Sequence, residues 1–184
     1  MGDFEHGVGH AKFRQANEGF DWVFKVKTVD EQTARLKAWS KNNQTVVPLV
    51  RLGVGADNPE WNLPTGMPST IKLQDDMPDG MGDTNVQMEW RRIQTFTDST
   101  SNLANVPQWK REMNWMQILE GLHYKEAQLL TAVKDGELMT LYPIEKLLPG
   151  LGITEYTGKT KKPSPAKKKA GTTTKKKRVK KDAS

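Results

Sequence analysis

The stretch PQWKREMNWMQILEGLHYKEAQLLTAVKDG, residues 107–136, decides the fold class. Its apolar residues recur every three or four positions, which is the period of an α-helix, and Pro107 suits the first turn of one. One stripe of the first half is predicted to face the core, and it contains Trp109, Met113, Met116 and Leu119, widened by Trp115 and Ile118. Gly121 is expected to end or bend this helix.

A second helix follows directly, from about Tyr124 to Lys134, and stops at the Asp-Gly pair that comes next, a common C-terminal signal. Within HYKE, residues 123–126, Glu126 is expected to reach back to a backbone amide at the start of its own helix, as in half of a capping box. His123 and Glu126 have the spacing of two metal ligands on a helix, but the other ligands of a metal site are missing. A structural role is therefore predicted for HYKE.

Working outward, four further segments have helical periodicity. They are FDWVFKV at residues 20–26, DEQTARLKAWSKNN at 30–43, TVVPLVRLGVG at 45–55 and NVQMEWRRIQTF at 85–96. Asp30 is a suitable N-cap for the second of these, and Pro48 fits early in the third. A short helix, PIEKLLPGLG, follows at residues 143–152. Since no segment alternates like a strand, the chain is predicted to be all-α, with a small multi-helix body at residues 18–155.

Residues 56–85 interrupt the helices with a long insertion rich in Pro and Gly. Its prolines, at positions 59, 64, 68 and 78, prevent a helix of more than a turn or two. Apolar residues nevertheless recur through it, namely Trp61, Leu63, Met67, Ile71 and Leu73. We therefore expect an extended segment pinned to the body rather than a free linker. Residues 1–17, which contain several Gly and His, are expected to form a flexible N-terminal arm.

The chain ends in a lysine-rich tail that contains KKPSPAKKKAGTTTKKKRVKK at residues 161–181. Residues 159–184 hold 12 Lys or Arg and one acid, so their net charge is +11, while the 16 basic and 21 acidic side chains of residues 1–158 give −5. Blocks of like charge among Pro, Ser, Thr and Gly cannot collapse into a core. Residues 156–184 are therefore predicted to be a disordered tail.

Such a tail is suited to the phosphate backbone of a nucleic acid, because cationic side chains release condensed counterions when they bind it. Non-specific binding is predicted, without base stacking, since no aromatic residue follows Tyr156. The predicted phosphate contacts are Lys161, Lys162, Lys167, Lys168, Lys169, Lys175, Lys176, Lys177, Arg178, Lys180 and Lys181. Arg91 and Arg92, beside Trp90, are candidate contacts on the body, although an exposed helix face is the commoner explanation. Binding to another polyanion or to a protein partner, and simple solubilisation, are the alternatives for the tail.

Motifs of catalysis and of cofactor binding are not found in the sequence. It contains no nucleophile elbow, HExxH motif, kinase signature or phosphate-binding glycine loop, so no enzyme activity and no cofactor are predicted. The chain has no cysteine and no apolar run of about 18 residues, so neither a disulfide framework nor a membrane span is expected.

The acidic stretch DDMPDGMGD, residues 75–83, faintly resembles a calcium loop, since Asp75, Asp79 and Asp83 fall at loop positions 1, 5 and 9. Met77 and Val86 occupy the third and twelfth positions, where oxygen ligands are required. We interpret the stretch as a solvated acidic loop and predict no metal site. An alternative is that it holds the basic tail when nucleic acid is absent.

The opening stretch also carries a family resemblance. REMNWMQILEGLHYKEAQLLTAVKDGEL, followed by a segment ending LPGL, resembles the C-terminal signature of a family of small uncharacterised proteins of T4-like tailed bacteriophages. The likeness extends upstream and covers about residues 20–150 in all. It includes the stretches FKVKTVDEQTARLKAWSKNN, PEWNLPTGMPSTIK and MEWRRIQTF. The resemblance implies a helical architecture and a setting in the host cytoplasm, and it implies no reaction. MTLYPIEKLL departs from the basic segment usual in the family, and the lysine tail is an addition.

Three hypotheses about function remain. The first is a non-enzymatic phage accessory protein whose helical body docks a protein partner while the tail binds nucleic acid. The second is a structural component of the virion, whose tail contacts the packaged genome or an acidic neighbour. The third is a metal-dependent nuclease that uses the carboxylates of residues 75–83, with turnover that an Asp79→Asn, Asp83→Asn variant would lose. The first is preferred because no catalytic pattern is present.

Overall fold

A computed structural model describes residues 12–73, 77–78, 81–98, 101 and 105–158. Over these residues the chain forms seven α-helices and one 3₁₀ helix, without a strand. They are α1 (Ala16–Phe24), α2 (Val29–Asn42), α3 (Val46–Gly53), α4 (Val86–Thr97), α5 (Gln108–Gly121), α6 (Tyr124–Lys134), α7 (Leu138–Leu141) and the 3₁₀ helix (Glu145–Leu151). The all-α prediction is confirmed. None of the helices in this part of the chain is long and apolar enough to cross a bilayer.

Helix α6 lies at the centre of the body. It packs against α1, α3, α5 and α7, and most of its residues are buried, including polar ones. A helix surrounded by others has to be apolar on several sides. The apolar residues that α6 supplies to the core are Ala127, Leu129, Leu130 and Val133. Around them lie the largest buried side chains of the other helices, which are Trp39, Trp115, Phe20 and Phe96.

Helix α2 is capped by Thr28, and the prediction of Asp30 as its N-cap was wrong. Thr28 has an extended backbone, and its side-chain oxygen accepts a hydrogen bond from the Glu31 N–H at 3.4 Å. The Thr28 hydroxyl also donates to the Glu31 carboxylate at 2.6 Å. Asp30 instead lies in the first turn, where its charge suits the helix dipole. Thr and Asp are both good N-cap residues, so only the backbone conformation distinguishes them.

The body extends past both predicted boundaries, at residues 18 and 155. Near the N-terminus, the ring of Phe13 lies 5.3 Å from that of Trp22, measured between centroids. Near the C-terminus, the Gly158 N–H donates to the Val54 carbonyl oxygen at 2.8 Å. Both contacts join residues outside the predicted boundaries to the helices. The contacts of the body therefore reach Phe13 on one side and Gly158 on the other.

Helix α1 approaches α2 closely at Gly19. A Cβ atom at this position would lie 2.2–2.5 Å from three atoms of the Trp39 indole, which is buried in the core. We expect Gly19→Ala to lower the free energy of unfolding by about 1–3 kcal/mol, because the indole has to shift within a filled core. Urea denaturation followed by circular dichroism would measure the change. A variant as stable as the wild type would contradict the prediction.

Residues 56–73 run along the helical body as an irregular, extended segment, which we call the strap. The apolar side chains of the strap are half-buried against the core, and they are Trp61, Leu63, Met67, Ile71 and Leu73. Two strap residues have positive φ, Asn62 at 49° and Gly66 at 82°, a region that Asn tolerates and Gly adopts without strain. The prediction of a segment pinned to the body is confirmed for these residues.

Candidate functional site

The predicted phosphate contacts of the tail, at residues 161–181, lie outside the described residues. The point from which the tail leaves the body is described. Besides the bond from Gly158 to Val54, Thr157 Oγ1 donates to the Gly55 carbonyl oxygen at 3.1 Å. Gly55 has φ +67°, and a Cβ there would lie 2.6 Å from Thr157 Oγ1. The tail therefore begins from a fixed position beside the turn that follows α3.

Arg91 and Arg92, the candidate contacts on the body, are both exposed on α4. Arg92 Nη1 donates to Glu89 Oε2 at 2.8 Å, within the same helix. Trp90 is half-buried and packs against the core rather than lying fully in solvent. Glu89 therefore offsets part of the positive charge that the two arginines bring to α4. The two arginines lie together on α4, and one of them is paired within the helix.

The two motifs considered for metal binding, at residues 123–126 and 75–83, lie in different surroundings. His123 is fully buried at the N-cap of α6, and its Nε2 lies 3.2 Å from the Met77 carbonyl oxygen. No group of three or more His, Asp or Glu suited to a metal occurs in the part of the chain that the structure describes. In the acidic loop, Asp83 is exposed, whereas Asp75 and Asp79 fall outside that part.

Glu126 binds the start of helix α1, which corrects the predicted capping of its own helix. Its Oε1 accepts a hydrogen bond from the Ala16 N–H, the first of α1, at 2.7 Å, and the residue is fully buried. Burial raises the pKa of Glu126 to about 7, because it penalises the charged carboxylate. The backbone N–H groups of Ala16 and Val86 oppose this increase in pKa, and the nearby Glu18 adds to it. Val86 is the first residue of α4, so the carboxyl group lies near the N-termini of two helices, and its hydrogen bond is made to the N-terminus of α1.

A buried ion pair at the end of α6 holds the strap. Lys134 pairs with Asp135, and their side chains are 2% and 9% exposed. Lys134 Nζ donates to the Pro64 carbonyl oxygen at 2.7 Å, and Asp135 Oδ2 accepts a hydrogen bond from the Gly66 N–H at 2.8 Å. The pair therefore satisfies backbone groups of a segment that has no helical hydrogen bonds of its own.

Helix α5 holds the preceding part of the strap. Arg111 is 5% exposed, and its Nε donates to the Trp61 carbonyl oxygen at 2.9 Å. Its Nη2 donates to the Phe96 carbonyl oxygen, in the last turn of α4, at 3.0 Å. Gln108 Nε2 donates to the Asn62 carbonyl oxygen at 3.0 Å. Burial lowers the pKa of Arg111, although an arginine remains protonated in proteins. The guanidinium thus joins α4, α5 and the strap.

Helix α5 also presents apolar side chains to solvent. Trp109 is 65% exposed and Met113 is 39% exposed, although both were predicted to face the core. The side chains of α5 that pack into the core are instead those of Trp115, Ile118 and Leu119. The prediction was wrong for Trp109 and Met113 because α5 has two apolar sides, and its own periodicity does not indicate which side meets the body.

A groove of about 370 Å³ lies next to this apolar side, between α5 and strap residues 63–70. The α5 wall of the groove is formed by Glu112, Trp115 and Met116. We call Trp109, Met113 and Met116, with the groove, the α5 surface. Exposed Trp is typical of the centre of protein interfaces, and Met of surfaces that adapt to a partner. The α5 surface therefore combines exposed apolar side chains with an adjacent groove.

The sequence analysis missed the polar residues that hold the strap, which are Arg111, Lys134 and Asp135. A signal for two of them is present. Arg111 lies four residues before Trp115 on the same side of α5, and Lys134 lies four residues after Leu130 on α6. A charged residue in line with a core stripe indicates a buried partner, which here is the backbone of the strap.

Comparisons with models of protein families, with curated proteins and with solved structures gave no significant match to this chain.

Proposed function

We propose that this chain is a non-enzymatic accessory protein of a tailed bacteriophage, in which the lysine-rich tail binds nucleic acid and the helical body docks a protein partner. The observation that carries the proposal is the separation of charge, with +11 on residues 159–184 and −5 on the rest of the chain. A basic tail neutralises phosphates, while an acidic body is repelled by them. The tail thus holds the body near nucleic acid without laying it on the duplex.

The fixed exit of the tail at Gly158 supports a tethering role. The last described residues are hydrogen-bonded to Val54 and Gly55. These bonds attach the start of the tail to the end of α3. Binding of the tail keeps the body at a high local concentration beside nucleic acid. A partner that also works there then meets the body more often, even though the affinity of the tail is non-specific. The resemblance over residues 20–150 supports the phage setting, in the host cytoplasm.

The α5 surface supports the docking role of the body. An apolar Trp and Met that lie side by side in solvent lose favourable burial unless a partner covers them. The strap next to them is held by the Lys134–Asp135 pair and by Arg111, so one wall of the groove is held in position before a partner arrives. Preorganisation of this kind lowers the entropy that binding costs.

The proposal is tested by measuring the affinity for double-stranded DNA against salt concentration, for the full chain and for a variant that ends at Gly158. We expect only the full chain to bind, because the body alone is acidic. The logarithm of its association constant should fall linearly with the logarithm of salt, with a slope of about −0.9 for each phosphate neutralised. Binding by the truncated variant with equal affinity would contradict the tail as the binding element.

Two variants of unchanged length serve as controls. Replacing residues 175–178 by Gln removes four positive charges, and should make the salt slope shallower by about 3 to 4 if all four contact phosphates. An Arg91→Gln, Arg92→Gln variant should leave the slope unchanged, because the body does not lie on the duplex. A shallower slope for the arginine variant would assign part of the binding to α4.

A further inference from the structure

Two exposed charges of opposite sign lie near the two ends of α5, so they would pair with the same residues of a second, antiparallel α5. Lys110 lies in the first turn of the helix and Glu120 in the last, and both are exposed. Neither side chain forms an ion pair within the described ranges. Met113 and Met116 lie between them along the helix. A twofold axis across α5 near residue 115 would place Lys110 opposite the Glu120 position of a second helix, and Met113 opposite the Met116 position.

We propose that a second copy of this chain occupies the α5 surface, with the two α5 helices antiparallel about that axis. In such a symmetric interface every contact is made twice. Lys110 of each chain pairs with Glu120 of the partner subunit, on either side of four central methionines. Trp109, at 65% exposure the most accessible apolar residue of α5, lies at each end and covers the edge of this apolar centre.

The pattern of charge favours a second copy over a partner of a single sign. A strongly basic or acidic partner would meet Lys110 and Glu120 with one attraction and one repulsion, whereas a reversed copy of α5 satisfies both. The contact is centred on one helix of 14 residues, about 21 Å long, and is therefore smaller than a standard interface of about 1,600 Å². A weak dimer is expected, one that forms as the protein concentration rises.

The dimer does not require the tail to bind nucleic acid, but it has one consequence for the proposed function. Two tails of +11 each would be joined through two bodies, so that binding of one tail raises the local concentration of the other at the nucleic acid. The protein partner of the body would then be the same protein, and the dimer would be the unit that the tails tether. The full chain should accordingly bind long DNA with a steeper salt dependence as it dimerises.

Sedimentation equilibrium of the full chain, over a wide range of concentration and without nucleic acid, tests the dimer. The wild type should pass from monomer to dimer. Lys110→Glu and Glu120→Lys should each weaken association about tenfold, because two attractions become repulsions. The double variant Lys110→Glu, Glu120→Lys should restore association, since the reversed charges are again complementary. Trp109→Ala should weaken it about tenfold, because the indole at each end of the apolar centre loses its burial.

Lys41→Glu, a charge reversal at an exposed position of α2, is the matched control and should leave the dimer unchanged. All the substituted side chains are exposed, and circular dichroism confirms that each variant is folded. A wild type that stays monomeric at every concentration overturns the proposal, as does a double variant as weak as the single ones. Because nucleic acid is absent, such a failure would leave the tail as a tether untouched, and a dimer that bound no DNA would refute the tether alone.

Discussion

Replacing Lys134 by Met is expected to lower the free energy of unfolding by about 3–5 kcal/mol, because removal of one partner leaves a buried charge uncompensated. Lys134 and Asp135 have side chains that are only 2% and 9% exposed. The substitution removes the cation that pairs with the Asp135 carboxylate, and it leaves the Pro64 carbonyl oxygen without the donor that lies 2.7 Å away. Urea denaturation at neutral pH, followed by far-ultraviolet circular dichroism, would measure the loss.

A second variant separates the charge from the packing. Lys134→Met combined with Asp135→Asn removes both charges and keeps a carbonyl oxygen to accept the Gly66 N–H. The double variant should recover most of the lost stability, because an ion pair replaced as a unit is often nearly neutral in its effect. Lys41→Met, at an exposed position of α2, should change stability by less than about 0.5 kcal/mol. If the double variant were as unstable as the single one, the ion pair would not be the cause.

The pH dependence of stability is the second large effect, and it comes from Glu126. Its pKa is about 7 in the folded protein, against an ordinary value of 4.5. Between these values the folded state binds more protons than the unfolded state, so the free energy of unfolding falls as pH rises and levels off above pH 7. The contribution lost over this interval is about 3 kcal/mol. Urea titrations between pH 4.5 and pH 8 would measure it.

Glu126→Gln isolates the contribution of this residue to the pH dependence of stability. Gln keeps an oxygen to accept the Ala16 N–H and carries no proton to lose. We expect the variant to gain stability relative to the wild type as pH rises from 4.5 to 7, with no further gain above pH 7. Glu155→Gln, at an exposed position after the 3₁₀ helix, should follow the wild type throughout. Parallel curves for the wild type and Glu126→Gln would show that burial does not control the ionisation of Glu126.

The two predictions concern polar residues that the sequence analysis treated as local. Glu126 was assigned to the start of its own helix, and Lys134 only marked the approximate end of the same helix. In the structure Glu126 reaches Ala16, which is 110 residues away in the chain, and Lys134 reaches Pro64, which is 70 residues away. Periodicity and capping patterns describe neighbours within about one helical turn, so they contain no information about partners at such distances.

The α5 surface shows that periodicity is also insufficient to predict which apolar residues are buried. The helix and its approximate ends were predicted correctly, because the spacing of apolar residues depends only on the geometry of a helix. Two apolar stripes satisfy that spacing, and the predicted stripe combined residues of both. The stripe with Trp115 and Ile118 faces the core, while Trp109 and Met113 remain in solvent. The residues that support the docking proposal were therefore visible in the sequence but assigned to the wrong side.

The amino-acid sequence by itself determined that the body is helical, that a segment rich in Pro and Gly lies against it, and that +11 and −5 are separated along the chain. These properties follow from composition and from short-range spacing, which need no knowledge of the fold. Only the tertiary structure decided which side of α5 is exposed, that Glu126 binds the start of α1, and that Lys134 and Asp135 hold the strap. Each of these depends on which distant segments share a dry interior, where an unpaired polar group is costly and has to find a partner from elsewhere in the chain.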